Sequence, residues 1–279
     1  MLPALVAAIP SPSSGSLHLG PLKLNAYGLM LALGVIIAVR LAGRRAEARG
    51  VTDADGFAAI AMWGVPAGVI GGRAYHVITS TESFRGRWVE ALYVWQGGLG
   101  IWGGILCGVL AGLWKARRMG LDPLAVLSCA GPAIAVAQAI GRWGNWFNQE
   151  LFGRPTDLPW ALSVSDATAL KAGSPAGTTF HPTFLYESLW CLLIAWVLVR
   201  IERKRAPARG RLFAYYVMLY TAMRFFIEGL RIDPARGAGG LRLNQWVSVA
   251  VFAAAGLLLL ADRRRSRGAG GASTVDVHE

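Results

Sequence analysis

The chain has 279 residues, of which 54% are hydrophobic and only 16% charged, and its 28 Lys and Arg against 16 Asp and Glu leave a formal charge of +12. A soluble domain carries about 25% charged residues, so this balance argues against a cytosolic enzyme, a disordered chain and a secreted disulfide scaffold. Nucleic-acid binding would account for the charge but not for the apolar mass, whereas a membrane protein with basic loops accounts for both.

A bilayer core of about 30 Å takes about 20 apolar residues per helix. Seven stretches approach that length, near 25–43, 55–79, 92–114, 121–141, 182–199, 211–230 and 243–262. Before the first, residues 1–22 hold no Lys or Arg, and the apolar run Leu5–Ile9 is short, so no cleaved signal peptide is expected. Span one opens on Tyr27. Span two carries Gly64, Gly68 and Gly72, followed by Arg73, and span three carries Gln96 and then Gly100, Gly104, Gly108 and Gly112. Small residues at four-residue spacing let helix backbones approach closely, so spans two and three are predicted to pack along these ridges.

Span four leads into GRWGNWFNQELFG, Gly141–Gly153, whose glycines are expected to make turns and whose Arg142, Asn145, Asn148 and Glu150 are unusual at a lipid interface. Residues 142–180, with Trp143, Trp146, Phe147, Phe152 and Trp160 among polar residues, suit a small interfacial cap. Span five begins with HPTFLYE: His181 is a candidate general base, and Tyr186 and Glu187 are candidate partners for arginines. In span six, Tyr220, Arg224, Glu228 and Arg231 are spaced 4, 4 and 3 and share one helix face, so an Arg224–Glu228 pair is expected, with donors of Arg224 left for an anion such as phosphate. Residues 263–279 read as a disordered basic tail beyond a membrane domain of residues 1–262. Cys107, Cys129 and Cys191 lie in apolar stretches and read as buried small residues.

Of the 28 basic residues, 17 fall on the side that follows spans one, three, five and seven, and 9 on the other. The richer side is expected to be cytoplasmic, which puts the N-terminus outside and the C-terminus inside and agrees with an odd number of spans. All the unusual polar residues named above then lie in the outward half, pointing to one site there. A solute or lipid transporter would instead spread polar residues along a path through both halves. An intramembrane protease would need a paired nucleophile or membrane aspartates, and Ser128 is isolated.

Four blocks carry a resemblance: YGLM from Tyr27, WQGGLGIWGG from Trp95 to Gly104, GRWGNWFNQELFG from Gly141, and HPTFLYE followed by the Tyr220–Arg231 face with RIDP at Arg231–Pro234. Together they resemble the prolipoprotein diacylglyceryl transferases, integral membrane enzymes of bacteria. The resemblance implies an all-α protein of seven transmembrane helices with a small outward cap, in the cytoplasmic membrane with its site toward the outer face. It implies transfer of the diacylglyceryl group of phosphatidylglycerol to the lipobox cysteine of a prolipoprotein, forming a thioether and releasing glycerol phosphate. The implied partners are that lipid, the lipobox region and the bilayer, not nucleic acid. Arg142 and Arg224 match the family's essential arginines, with Glu228 and His181 beside them as catalytic candidates. Tyr27, Arg73, Gly103, Asn145, Asn148, Glu150, Tyr220 and Arg231 are the implied substrate-binding set. No metal or cofactor is needed, since arginines supply positive charge to the departing phosphate. One position departs from the family: Trp102 stands in GIWGG where many members have a histidine proposed as the base, so thiolate formation is expected to rest on the arginines, with His181 or Glu228 as the competing bases.

Overall fold

The computed structural model describes residues 8–19, 22–93, 98, 100–205, 207, 209–233 and 237–271. Within them lie eight α-helices: α1 (Ala26–Ala48), α2 (Ala54–Thr79), α3 (Ile101–Arg118), α4 (Pro123–Phe147), the short α5 (Asp166–Lys171), α6 (Thr183–Arg205), α7 (Arg211–Leu230) and α8 (Leu243–Gly271). Their starts follow from local chemistry. The Asn25 side chain accepts from the Tyr27 N–H at 2.9 Å, that of Asp53 from Gly56 at 2.7 Å, and that of Asp122 from Leu124 at 3.0 Å, each satisfying an amide that lacks an intrahelical partner. Pro123 and Pro182 stand where a missing N–H costs nothing.

Five helices, α1, α2, α4, α6 and residues Leu243–Arg264 of α8, are long and apolar enough to cross a membrane. Helices α3 and α7 are also long but carry three charged residues each. Within each of the chain's two compact units the exposed helix faces are apolar: Met62 and Ile70 in α2, and Phe226 and Leu258 in α7 and α8, are all about 70% exposed or more, while Glu187 and Glu228 are buried. This inversion of the soluble pattern is what a lipid solvent demands.

Three boundaries differ from expectation. Span three was expected from residue 92, but α3 starts at Ile101, because Gly98 sits at φ +70° and Gly100 is extended, and neither carries a helix on. Gln96 lies outside the described residues. Span four was expected to end at 141, but α4 continues to Phe147 and takes Arg142 and Asn145 into its last turns. Helix α8 continues past Arg263, where the tail was expected to begin, to Gly271, since Arg and Ala favour helix and no proline intervenes; residues 272–279 lie outside the described residues.

The chain packs as two compact units, one of residues 39–130 and the other of the remainder. In the 39–130 unit, α2 and α3 meet along the predicted glycine ridges. A Cβ added to Gly64 would lie 3.2 Å from the Gly108 carbonyl oxygen, one on Gly68 3.2 Å from that of Gly104, and one on Gly104 3.3 Å from that of Gly68. The contact is backbone on backbone, and the Gly100 N–H extends it by donating to the Gly72 carbonyl at 2.8 Å. Gly104→Leu is therefore expected to destabilise the protein by about 1–3 kcal/mol through overpacking, read as an earlier thermal transition in detergent; an unchanged transition would remove the ridge as a packing device.

In the other unit, α6 packs on α7 and α7 on α8. Ala135, Ile194, Leu198, Leu212 and Tyr216 form a core among α4, α6 and α7. A small sheet joins β1 (Ile9–Pro10), parallel, to β4 (Leu162–Ser163), which pairs antiparallel with β5 (Thr179–Phe180). Phe152, Leu162, Val164, Ala169, Phe180 and Phe184 give this sheet and α5 their own core. Two hairpins complete the unit: β2 (Ser16–Leu19) with β3 (Leu22–Asn25), and β6 (Gly237–Ala238) with β7 (Leu241–Arg242). The second turns at Gly239 and Gly240, both at positive φ, which suits the tightest hairpin connections.

Candidate active site

Three helices of the larger unit bring charge together. Arg142 and Asn145 come from the last turns of α4, Glu187 from the second turn of α6, and Tyr220, Arg224 and Glu228 from one face of α7. Ser188 ties α6 to α4 beside them, donating to the Ala139 carbonyl at 2.9 Å and accepting from Trp143 Nε1 at 3.2 Å.

The charges alternate along a chain of ion pairs. Arg142 Nη2 lies 2.8 Å from Glu187 Oε2, and Arg224 Nη1 lies 3.4 Å from Glu187 Oε1. Arg224 Nη2 then meets Glu228 Oε2 at 2.6 Å, the pair expected from the i, i+4 spacing. Glu228 is met in turn by Arg231 Nη1 at 3.6 Å, Arg242 Nε at 3.3 Å and the Asn244 amide at 3.2 Å. Asp233 closes the chain, with Arg231 Nε at 2.7 Å and Arg242 Nη2 at 3.1 Å. Burial works against the Asp233 charge, but hydrogen bonds from Arg231 and the charges of Arg231 and Arg242 outweigh it and hold the carboxyl below its ordinary range.

Glu187 and Glu228 have side chains only 1–2% exposed, and each carboxylate is met by cations in place of water. Along the ion-paired chain four guanidiniums (Arg142, Arg224, Arg231, Arg242) face three carboxylates (Glu187, Glu228, Asp233), and Glu150, joined to Arg142 through Asn145, is a fourth. What the cluster offers an anion is therefore the local guanidinium donors of Arg142 and Arg224, not a net charge.

The segment after α4 forms a second polar knot. Arg142 Nη1 donates to Asn145 Oδ1 at 3.4 Å, and the amides of Asn145 and Asn148 both donate to Glu150 Oε1, at 2.9 and 3.2 Å. The Tyr220 phenol lies beside Arg142, and the Tyr27 phenol lies within electrostatic reach of Glu150 and Arg142. Arg142, Asn145, Asn148, Glu150, Tyr27, Tyr220, Arg224, Glu228 and Arg231, all singled out from sequence, thus lie in one connected neighbourhood.

The glycines there do something other than expected. Gly141 and Gly144 are helical, and the backbone turns instead at Gln149 (φ 50°) and Leu151 (φ 60°). Gly144 serves close approach: a Cβ there would lie 2.5 Å from Tyr27 Cδ2. Gln149 holds its unusual conformation through its side chain, which donates to the Pro12 carbonyl at 2.8 Å and accepts from the Ser165 N–H at 2.9 Å.

Other expected residues have partners of their own. The His181 ring bonds through Nδ1 to the Tyr186 hydroxyl at 3.2 Å, and that hydroxyl also accepts from Trp160 Nε1 at 3.0 Å. Tyr186 therefore partners His181 and Trp160, whereas Glu187, offered with it as an arginine partner, takes two arginines. Arg73 belongs to the 39–130 unit and spends donors on backbone carbonyls, at 2.8 Å to Ala91, 2.5 Å to Glu90 and 3.2 Å to Gly98. Gly103 in the same unit packs against the Gly71 carbonyl and Tyr75. Trp102 lies in the first turn of α3. Arg242 and Asn244 were not among the candidates; the one signal was Arg242 as a basic residue on the side poorer in Lys and Arg.

A bundle with an apolar exterior and a buried arginine–carboxylate chain defines an integral membrane protein with an anion-receptive interior. The profile of the family described as prolipoprotein diacylglyceryl transferase matches residues 15–261. The chain is 48% identical over 261 residues to the phosphatidylglycerol–prolipoprotein diacylglyceryl transferase of Frankia alni, covering 92% of this chain and 68% of that protein. It is 48% identical over 266 residues to transferase 1 of Streptomyces coelicolor, covering 94% and 76%. Against the transferase of Cutibacterium acnes it is 46% identical over 266 residues, covering 94% and 89%. The chain belongs to the prolipoprotein diacylglyceryl transferase family.

Proposed function

We infer that this chain transfers the diacylglyceryl group of phosphatidylglycerol to the lipobox cysteine of prolipoproteins, the first step of lipoprotein maturation. The observation that carries the reading is the buried chain Arg142–Glu187–Arg224–Glu228, which fixes two guanidiniums from different helices around one carboxylate. The thiolate sulfur bonds to the glycerol carbon as the bond from that carbon to the phosphate oxygen breaks. Glycerol phosphate leaves, and the thiol proton passes to water or to the departing phosphate. Negative charge grows on that phosphate, and Arg142 and Arg224, fixed in advance on either side of Glu187, stabilise it without reorganising. The same cations favour the thiolate.

Asn145, Asn148, Glu150, Tyr27 and Tyr220 orient Arg142 and the headgroup. Glu228 and Arg231 act as positioning residues, since the Glu228 oxygens are taken up by arginines and Asn244. Arg73 and Gly103 support the segment leading into α3. In this reading all seven long helices cross the cytoplasmic membrane, with the N-terminus outside, the C-terminus in the cytoplasm and the site toward the outer face; the bias of 17 basic residues to one side supports it.

The test is direct. Purified protein is incubated with phosphatidylglycerol and a lipobox peptide, and the peptide is weighed by mass spectrometry. A diacylglyceryl mass gain is expected, and none with any anionic phospholipid would sink the reading. With the His181 ring held by Tyr186, His181→Ala is expected to keep turnover within about tenfold, below the range of a lost general base, about 10²–10⁴-fold. A loss in that range with lipid binding intact would make His181 the base.

A further inference from the structure

We propose that Arg242 is a positioning residue for this site: it supplies the countercharge that stops Glu228 from neutralising Arg224, and so keeps Arg224 available to the lipid phosphate. The proposal rests on the functional reading above and adds to it a residue outside the motif blocks.

The geometry is specific. Arg242 stands at the end of the β6–β7 hairpin, and its backbone N–H is held by the Gln245 side chain at 3.0 Å. Its guanidinium turns wholly to the protein. Nε faces Glu228 Oε1 at 3.3 Å, and Nη1 donates to the carbonyls of Glu228 at 3.1 Å and Arg231 at 2.8 Å. Nη2 donates to the Asp233 carbonyl and, at 3.1 Å, to its Oδ2. These carbonyls lie at the C-terminal end of α7, where peptide oxygens lack intrahelical donors and the helix dipole favours a cation.

With its donors spent in this way, Arg242 is not poised to grip a ligand. Its effect passes through Glu228. Without it, Glu228 would lose one cation, and Arg224 would carry a larger share of the neutralisation. Arg224 differs: its Nη1 and Nη2 pair with Glu187 and Glu228, and no hydrogen bond donated by Nε occurs among the described residues. A neutralised Arg224 would hold an anionic headgroup less well.

The experiment compares wild type, Arg242→Gln, Glu228→Gln, the double variant and Arg242→Lys, all purified in detergent. Initial rates of peptide lipidation are measured against phosphatidylglycerol concentration, with glycerol phosphate as a competing product. Arg242→Gln is expected to raise KM for the lipid about tenfold and to weaken product inhibition by a similar factor. In the double variant the lost cation and the lost carboxylate cancel, and KM is expected to fall back at least threefold from that of Arg242→Gln. Damage of a purely structural kind would multiply in the double variant instead, and that result overturns the proposal. Arg242→Lys keeps the charge but not the fork, so it should hold KM within about threefold of wild type. Should the Gln variants fail to fold, this variant decides, and a KM raised about tenfold with the charge retained would overturn the role. An inactive wild type defeats the functional reading and this proposal with it, whereas an active wild type with unchanged KM in Arg242→Gln defeats only the proposal.

Discussion

Glu187→Ala is expected to be among the most destabilising single changes in the protein, costing about 3–5 kcal/mol. The carboxylate is 2% exposed and stands between Arg142 at 2.8 Å and Arg224 at 3.4 Å. Its removal leaves two guanidiniums from different helices facing each other with no anion between them. Repulsion and lost solvation then act together on the junction of α4, α6 and α7. Glu187→Gln keeps the shape and one acceptor but not the charge, so it should fall between the alanine variant and wild type. Thermal unfolding in detergent checks the order; equal transitions for all three proteins would show that the arginines find other partners.

Arg142→Ala and Arg224→Ala are each expected to lower turnover about 10²–10³-fold, the range for removing one preorganised stabiliser of developing negative charge. Both cations are held by carboxylates before any lipid arrives, so neither waits on substrate for its placement. Lysine at either position should recover only part of the rate, because one ammonium cannot serve a carboxylate and a phosphate with the fixed fork of a guanidinium. Since both arginines share Glu187, the double alanine variant should cost less than the product of the singles. Initial rates of peptide mass gain provide the measurement, and full activity in either alanine variant would remove that arginine from the proposed chemistry.

Sequence spacing made visible whatever lies along one helix. The Tyr220–Arg224–Glu228 face needed only the i, i+4 rule, and the glycine ridges of α2 and α3 needed only their period. Contacts joining distant segments were harder to see. Glu187 is 45 residues from Arg142 and 37 from Arg224, and spacing could mark it as a partner of arginines without saying of which or of how many. Arg242 reaches Glu228 only because a hairpin folds back at Gly239 and Gly240, and nothing in a basic residue beside a turn announces that. The glycines of GRWGNWFNQELFG were read as turns because glycine permits them, yet helix propagation carried α4 through Gly141 and Gly144 and left the turning to Gln149 and Leu151.

The glycine seam also has a mechanical side. Where α2 meets α3, peptide lies against peptide at Gly64, Gly68, Gly104 and Gly108, with no layer of side chains between. Side-chain layers let neighbouring helices slide by changing rotamers, and a bare backbone seam has no such gear. The pair therefore behaves as one stiff plank. Any breathing that a bulky two-tailed lipid requires must be sought at seams cushioned by side chains, such as that between α6 and α7, where Ile194, Leu198 and Tyr216 can rearrange.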